Sequence, residues 1–337
     1  MQTILVTGGA GFIGSHLVRH LLHRYERYTV INFDKLTYAG NLENLEDIED
    51  HARYRFIKGD ICDRSTVESA VRDFNIDAII NVAAESHVDR SIIGSAPFVE
   101  TNIVGTHTLL EAARCAGIER FLQISTDEVY GSLGPVGRFT ETSPVQPTSP
   151  YAVSKASADL LANAYFRTYG IPVVIARSSN NYGPNQFPEK LIPLMVINAL
   201  QDRRLPIYGD GQNVRDWLYV EDNCEALDLI LHGGKAGETY NIGANEEWRN
   251  IDVVKVILKH LGKPESLIEF VKDRPGHDRR YSTDASKVGT ELGWRPSRDF
   301  AKGLKMTVDW YSSHAEWWKR VMNGEYQSYY RKVYEER

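Results

Sequence analysis

Cysteine is scarce in this 337-residue chain: Cys62, Cys115 and Cys224 stand far apart and outside any CxxC pairing. That spacing excludes a disulfide framework and a zinc site of ordinary ligand pattern. The reducing cytoplasm is the expected compartment. No apolar run approaches the ~18 residues of a membrane span. Ile4-Leu5-Val6 follows the N-terminus with no basic leader, so neither an embedded nor an exported protein is expected. Long basic runs are missing too, and 39 Lys+Arg against 45 Asp+Glu give a formal charge of −6. Nucleic acid and anionic membrane are poor partners for such a surface. The chain shows no internal repeat and no low-complexity linker.

What it does have is a rhythm. Apolar runs rich in β-branched residues, Thr3–Thr7, Thr29–Phe33, Tyr54–Ile57, Ala78–Val82, Phe121–Ser125 and Val173–Ala176, read as buried strands. Helix-length amphipathic segments near 12–24, 64–74, 97–116 and 150–169 lie between them. This alternation predicts an α/β fold, a doubly wound (Rossmann) parallel sheet covered on both faces. At about 100–200 residues per domain the length suggests two domains, or one large domain with an annex. After about residue 178 the pattern turns irregular, starting at Asn180-Asn181-Tyr182-Gly183-Pro184. The expected division is therefore 1–178, binding a dinucleotide and carrying catalysis, and 179–337, a smaller α/β region binding substrate, with a late strand Glu238–Ile242 returning to the first sheet.

Gly8-Gly9-Ala10-Gly11-Phe12-Ile13-Gly14 follows the first strand and opens the first helix. Glycines there let backbone N–H groups and the helix N-terminus approach a pyrophosphate. Asp34 ends the second strand, where its carboxylate can accept from the adenosine ribose. Its charge would repel a 2′-phosphate, so NAD is favoured over NADP; Lys35 pulls slightly the other way. Asp60-Ile61, after the third strand, would sit near the adenine, unless Asp60 merely caps the helix that follows.

Tyr151 and Lys155 are four residues apart, on one helical face, with Ser149 as N-cap and Pro150 at the first helical position. The ammonium is expected to lower the phenol pKa, creating a base for a hydroxyl proton. Joined to the glycine fingerprint, this spacing resembles the extended branch of the short-chain dehydrogenase/reductase superfamily. Ser125-Thr126-Asp127-Glu128 ends the fifth strand, at the carboxyl edge where such sheets bind ligands. Two carboxylates held close cannot both ionise easily, which yields an acid beside a base. Alcohol oxidation needs neither, whereas elimination of water needs both. A helix-start acidic pair is the plainer alternative.

With that triplet the resemblance narrows to the nucleotide-sugar 4,6-dehydratases. It is carried also by Asp34–Asn41, Ala83-Ala84-Glu85-Ser86-His87-Val88-Asp89-Arg90-Ser91, Thr101–Thr106, Arg177–Pro184 and Arg274-Pro275-Gly276-His277-Asp278. The resemblance implies a mechanism in which Tyr151, aided by Lys155 and Thr126, deprotonates the carbon 4 hydroxyl as hydride leaves to NAD. Glu128 then removes the carbon 5 proton, Asp127 protonates the departing carbon 6 hydroxyl, and the hydride returns to carbon 6.

The resemblance assigns NAD to Gly8, Gly11, Phe12, Ile13, Gly14, Asp34, Lys35, Thr37, Tyr38, Asn41, Asp60, Ile61, Val82, Ala83, Ala84, Ser86, Thr101, Tyr151, Lys155 and Asn180. The Asp34–Asn41 segment would help to seal the cofactor in. The sugar nucleotide falls to Ser86, Thr126, Asp127, Glu128, Tyr151, Asn180, Asn181, Lys190, Leu191, Pro206, Tyr208, Arg215, Asn250, Asp273, Arg274 and His277. Asp216 is read as holding Arg215 in place, and His87 is a weaker contact or a structural group. dTDP-glucose is the favoured substrate, with UDP-glucose, or a 4-epimerase or decarboxylase on the same fold, as alternatives; a silent NAD-binding protein is a more distant one. No metal is expected. A homodimer through helices 97–116 and 150–169, using apolar residues such as Ala156, Leu160, Leu161 and Ala164, follows by analogy. Cys62, Cys115 and the aromatic tail beyond Trp317 receive no role.

Overall fold

The first strand, Thr3–Thr7, places Ile4 and Val6 on one side of the sheet and Leu5 on the other, and all three are fully buried. A strand buried on both faces needs helices on both, which is what the alternating sequence supplies. The computed structural model describes residues 1–322 with Tyr326, Tyr330 and Val333. Most of the aromatic tail at 326–330 lies outside the described residues. Strands β1 (Thr3–Thr7), β2 (Thr29–Asp34), β3 (Tyr54–Lys58), β4 (Ala78–Asn81), β5 (Arg120–Thr126) and β6 (Val173–Ser178) form one parallel sheet in the order 3-2-1-4-5-6. Beyond β6 the late strand Thr239–Ile242 pairs in parallel, so the chain does return to the first sheet. The order reverses between β1 and β4, and ligands bind outside the carboxyl ends of strands at such a point.

One apolar layer joins Leu17, Leu21, Val220, Leu227 and Leu231 to the sheet, and the opposite layer contains Leu109, Leu110, Val67 and Ala162. Helix Val220–Gly233 therefore belongs to the covering of the central sheet although it follows residue 178. A separate core around Leu194, Trp217, Val254, Phe300 and Tyr311 fills the C-terminal region. The segment expected as a single helix over 97–116 is not uniform. It runs as Ala96–Phe98, a π-helical turn Val99–Gly105, and an α-helix Thr106–Ala116. Gly105 packs so tightly on Ile61 that an added Cβ would lie 2.4 Å from its Cδ1. The wider turn, a form common at functional sites, carries Thr101 to a cavity wall and lets Asn102 donate to Ser154 Oγ at 2.8 Å and Glu85 O at 2.9 Å.

Helix Phe12–Arg24 is positioned from its far end. The Asp228 carboxylate on Val220–Gly233 faces His20 Nε2 at 2.9 Å and His232 Nδ1 at 2.9 Å, and accepts from Tyr25 Oη at 3.0 Å. Asp228→Asn is expected to lose about 1–3 kcal/mol of stability in urea unfolding, because it weakens several hydrogen bonds to a buried charged group at once. An unchanged midpoint would show that this cluster does not anchor the helix.

Candidate active site

Two cavities open along the carboxyl edge of the sheet and share Gln186, Glu189 and Lys190 in their walls. Gly8, Gly11, Phe12, Ile13 and Gly14 line the first, with Asp34, Lys35, Thr37, Asp60, Ile61, Val82, Ala83, Ala84, Ser86 and Thr101 around them. Gly8 has φ +67°, and a Cβ on Gly14 would stand 2.1 Å from the Gly8 carbonyl oxygen, so side chains are excluded from this turn. Helix Phe12–Arg24 starts at Gly11 with no side-chain cap and no acidic residue in its first turn. Its first N–H groups thus remain for an anion. Asp34, buried, accepts from Ala10 N at 2.9 Å and Leu36 N at 2.8 Å, and each carboxylate oxygen keeps a further acceptor site. The residues fit a dinucleotide. Lys35 pairs with Asp60 at 2.6 Å, so its charge is already matched and offers little to a 2′-phosphate. Asp60 also accepts from Cys62 N, and the helix cap is Asp63 instead.

Five residues expected at the cofactor stand outside this cavity's lining: Tyr38, Asn41, Tyr151, Lys155 and Asn180. The turn Thr37–Gly40, closed by Gly40 N donating to Thr37 O at 3.0 Å, explains Tyr38: Thr37, Ala39 and Gly40 line the cavity while the Tyr38 side chain points out of the turn and donates to Glu189 Oε1 at 3.0 Å. Asn41 spends its side chain capping the 3₁₀ turn Leu42–Ile48, and its backbone N–H ties the segment to Ala10 O at 3.0 Å. The segment is therefore pinned to the glycine turn. Asn180 lines the second cavity.

Thr126 organises the catalytic cluster. Strand β5 ends there, and a 3₁₀ turn Asp127–Tyr130 begins with the Thr126 hydroxyl accepting from Glu128 N at 3.2 Å. Leaving extended geometry at this residue is what allows two consecutive carboxylates to approach one place. The Thr126 hydroxyl also donates to Asp127 Oδ1 at 3.4 Å, and it lies near enough to the Tyr151 phenol to oppose the rise in its pKa. Asp127 is 1% exposed; burial, with Glu128 and Asp216 adding their charges, pushes its carboxyl well above the ordinary range. Burial raises Glu128 too, but Arg274, Arg215 and Lys190 oppose the rise. Cations thus favour ionised Glu128, and anions favour protonated Asp127. Of this group Glu128 alone lines the second cavity, with Thr126, Asp127 and Tyr151 behind it.

Helix Pro150–Tyr169 starts as expected, with the Ser149 side chain accepting from Ala152 N and Pro150 in the first turn. The electrostatics of Tyr151 differ from expectation. Lys155 Nζ donates to the Ile124 carbonyl at 2.6 Å and sits in the buried interior, which lowers its pKa to about 8. Burial and the Glu128 charge push the Tyr151 phenol well above its usual value, so its net shift is opposite to the one expected from the ammonium. The spacing put both groups on one face, but the carbonyl competes for the cation.

Asn180, Asn181, Lys190, Leu191, Pro206, Tyr208, Arg215, Asn250, Arg274 and His277 line the second cavity. Among the described residues, Asn180 Oδ1, Asn181 Oδ1, Asn250 Oδ1 and Arg274 Nε are buried without a hydrogen-bond partner, the signature of a wall built for a polar ligand. Arg215 is fixed by donating to Val214 O at 2.8 Å and Asp278 O at 2.9 Å over the Tyr281 ring. Burial, Arg274 and Arg215 lower His277 to about 4, so it is neutral at pH 7. Ser86 lines only the first cavity, where its carbonyl accepts from Lys190 Nζ at 2.7 Å. Asp273 lies outside the cavity lining and accepts from His277 Nδ1 and from Arg274 N, shaping the loop. Asp216 does not hold Arg215: consecutive strand residues face opposite ways, and Asp216 accepts from Glu246 N at 3.0 Å. His87 is buried, with Nε2 3.1 Å from Glu189 O, and lines the second cavity.

Sequence reasoning missed Glu189, Gln186, Asp89 and Arg90. Asp89 accepts from Tyr208 Oη at 2.8 Å and pairs with Arg274 at 3.2 Å, while Arg90 pairs with Glu189 at 2.8 Å. The signal present was a charged pair, Glu189-Lys190, set between Phe187-Pro188 and the apolar run Leu191–Leu200. Charges so placed are candidates for burial with a purpose.

A doubly wound sheet with a glycine-turn cavity, a Tyr-Lys helix beside it and a second polar cavity defines the extended short-chain dehydrogenase/reductase class. The model of the GDP-mannose 4,6 dehydratase family matches residues 5–307. The dTDP-glucose 4,6-dehydratase of Neisseria meningitidis serogroup B is 53% identical, over 97% of this chain and 98% of that protein. The solved dTDP-glucose 4,6-dehydratase of Bacillus anthracis in complex with NAD superposes with TM-score 0.90 at 52% identity, covering 95% of this chain and 100% of the other. UDP-glucose 4-epimerase of Thermus thermophilus, in complex with NAD, reaches 0.86 at 33% identity over 93% of this chain and 100% of its own. The chain belongs to the 4,6-dehydratase family of nucleotide-sugar enzymes, among the dTDP-glucose 4,6-dehydratases.

Proposed function

We propose that this chain is an NAD-dependent dTDP-glucose 4,6-dehydratase, forming dTDP-4-keto-6-deoxyglucose and water. The observation that carries the reading is the clustering at Thr126, whose hydroxyl is hydrogen-bonded to Asp127 and to Glu128 N while Thr126, Asp127 and Glu128 all bear on the Tyr151 phenol. An epimerase expels no water at carbon 6 and has no use for a buried, protonated Asp127.

The Gly8–Gly14 turn, Asp34 and Ala83-Ala84 would hold NAD, which when bound would supply a positive ring near the phenol, the acceptor for the carbon 4 hydride and, after water is lost, the donor that returns it to carbon 6. Arg215, Arg274, Lys190 and the Asn180, Asn181 and Asn250 amides take the diphosphate and sugar, with Pro206 and Tyr208 along the nucleoside. Arginine forks suit phosphate oxygens. Tyr151 takes the carbon 4 hydroxyl proton, with Thr126 orienting that oxygen and Lys155 fixed nearby. The carbon 4 ketone acidifies carbon 5. Glu128 removes the carbon 5 proton, and Asp127 delivers its proton to the departing carbon 6 hydroxyl.

Residues 1–178 with the returning segments serve cofactor and catalysis, and the remainder serves substrate. The cytoplasm, a reducing home for three free thiols, is the proposed compartment. A homodimer is proposed through an outward apolar stripe: Val153, Leu160 and Ala164 face solvent on one helix, and Val99 and Val104 do so on the segment beside it. Ala156 and Leu161 pack into the core instead.

dTDP-glucose deuterated at carbon 4 tests the reaction. The label is expected at carbon 6 of the keto product, and UDP-glucose is expected to turn over more slowly. Label left at carbon 4, or lost to the medium, would end this reading.

A further inference from the structure

One wall of the dinucleotide cavity is the segment 35–40, and the wall facing it is 186–190. The first wall contains one strained residue. Leu36 has φ +57°, a left-handed conformation that a branched side chain keeps only where surroundings enforce it. Leu36 N donating to Asp34 and Asn41 N donating to Ala10 O hold the segment from one side, and a second set of contacts holds it across the mouth of the cavity. Tyr38 Oη donates to Glu189 Oε1 at 3.0 Å, Arg90 Nε donates to Glu189 Oε2 at 2.8 Å, and the Arg90 guanidinium rests 3.8 Å from the centre of the Tyr38 ring. Phe187 meets the same ring edge-on at 5.2 Å. The Glu189 side chain is 1% exposed, so both of its hydrogen bonds form away from competing water.

We propose that Glu189 is a positioning residue for cofactor retention: with Tyr38 and Arg90 it forms a clasp that closes the two walls over the bound dinucleotide. The inference rests on the dehydratase reading, and it adds a reason for the clasp. A cofactor reduced and reoxidised within one turnover must not leave in between. A clasp that opens more slowly than the sugar reacts meets that requirement, whereas an ordinary dehydrogenase must release its cofactor every cycle. The arrangement also touches the second cavity, because Asp89, next to Arg90 on the short helix Val88–Ile93, is held by Arg274 and Tyr208.

The test uses the purified holoenzyme loaded with isotopically labelled NAD and chased with unlabelled NAD. Glu189→Gln removes the charge at nearly constant volume. Tyr38→Phe removes one hydroxyl and leaves the Glu189–Arg90 pair intact. Both are expected to release label about 10- to 100-fold faster than the parent, the effect of losing a buried hydrogen bond to a charged group. For Tyr38→Phe the KM for dTDP-glucose is expected to stay within about twofold, a split that general loosening of the fold would not produce. Release at the parental rate in both variants overturns the clasp while leaving the dehydratase reading intact. Faster release accompanied by an equal rise in KM overturns it too. A parent that keeps no NAD through gel filtration overturns both.

Discussion

Tyr151→Phe is expected to lower kcat by about 10²–10⁴-fold, the range for removing a positioned proton-transfer group. The ring of Tyr151 packs with Val88 and Phe98, and phenylalanine keeps that packing, so the variant should fold and still bind dTDP-glucose. What disappears is one hydroxyl, within electrostatic reach of Thr126 and the Glu128 carboxylate. Burial and that carboxylate keep the phenol protonated in this arrangement. It becomes a base only when positive charge is brought against it, and this makes the oxidation conditional on a filled cofactor cavity. The measurement is single-turnover formation of keto sugar alongside the dissociation constant for dTDP-glucose. Loss of kcat with unchanged binding marks a group acting in the transition state. Turnover within tenfold of the parent would remove Tyr151 from the chemistry.

Most of the central sheet was legible because its strands are buried on both faces, so their apolar runs are continuous and the turns between them are marked by glycine and aspartate. Asp34, Gly8 and Gly14 were legible for the same local reason: each role depends on backbone within a few residues. Contacts made across the chain were not. Tyr38 read as a cofactor contact because its neighbours are, yet the turn it sits in aims its ring toward Glu189, 151 positions away in sequence. Asp216 read as the partner of Arg215 because the two are adjacent, while strand geometry points them apart and backbone carbonyls hold the arginine. The π-helical turn at Val99–Gly105 left no mark in the periodicity. It ends where Gly105 fits against Ile61, a tertiary contact that local spacing does not display.

Glu128→Gln and Asp127→Asn should both reduce keto-sugar formation by about 10²–10⁴-fold, yet fail at different atoms. Glu128 stands at the cavity wall under the influence of Arg274, Arg215 and Lys190, which favour its ionised form. Asp127 lies deeper, with Glu128 and Asp216 both disfavouring its charge. Their environments push the two carboxyls apart, giving the base to Glu128 and the acid to Asp127. In deuterated water, Asp127→Asn with dTDP-glucose should still exchange the carbon 5 proton, because its base is intact, while water loss at carbon 6 stalls. Glu128→Gln should show neither exchange nor product. The comparison is internal, since both variants remove one carboxylate from the same turn and differ only in which proton they strand. Carbon 5 exchange at the parental rate in Glu128→Gln would transfer the base role elsewhere. Absence of exchange in Asp127→Asn would mean that proton removal and departure of the hydroxyl occur in one concerted step, with Asp127 required for both.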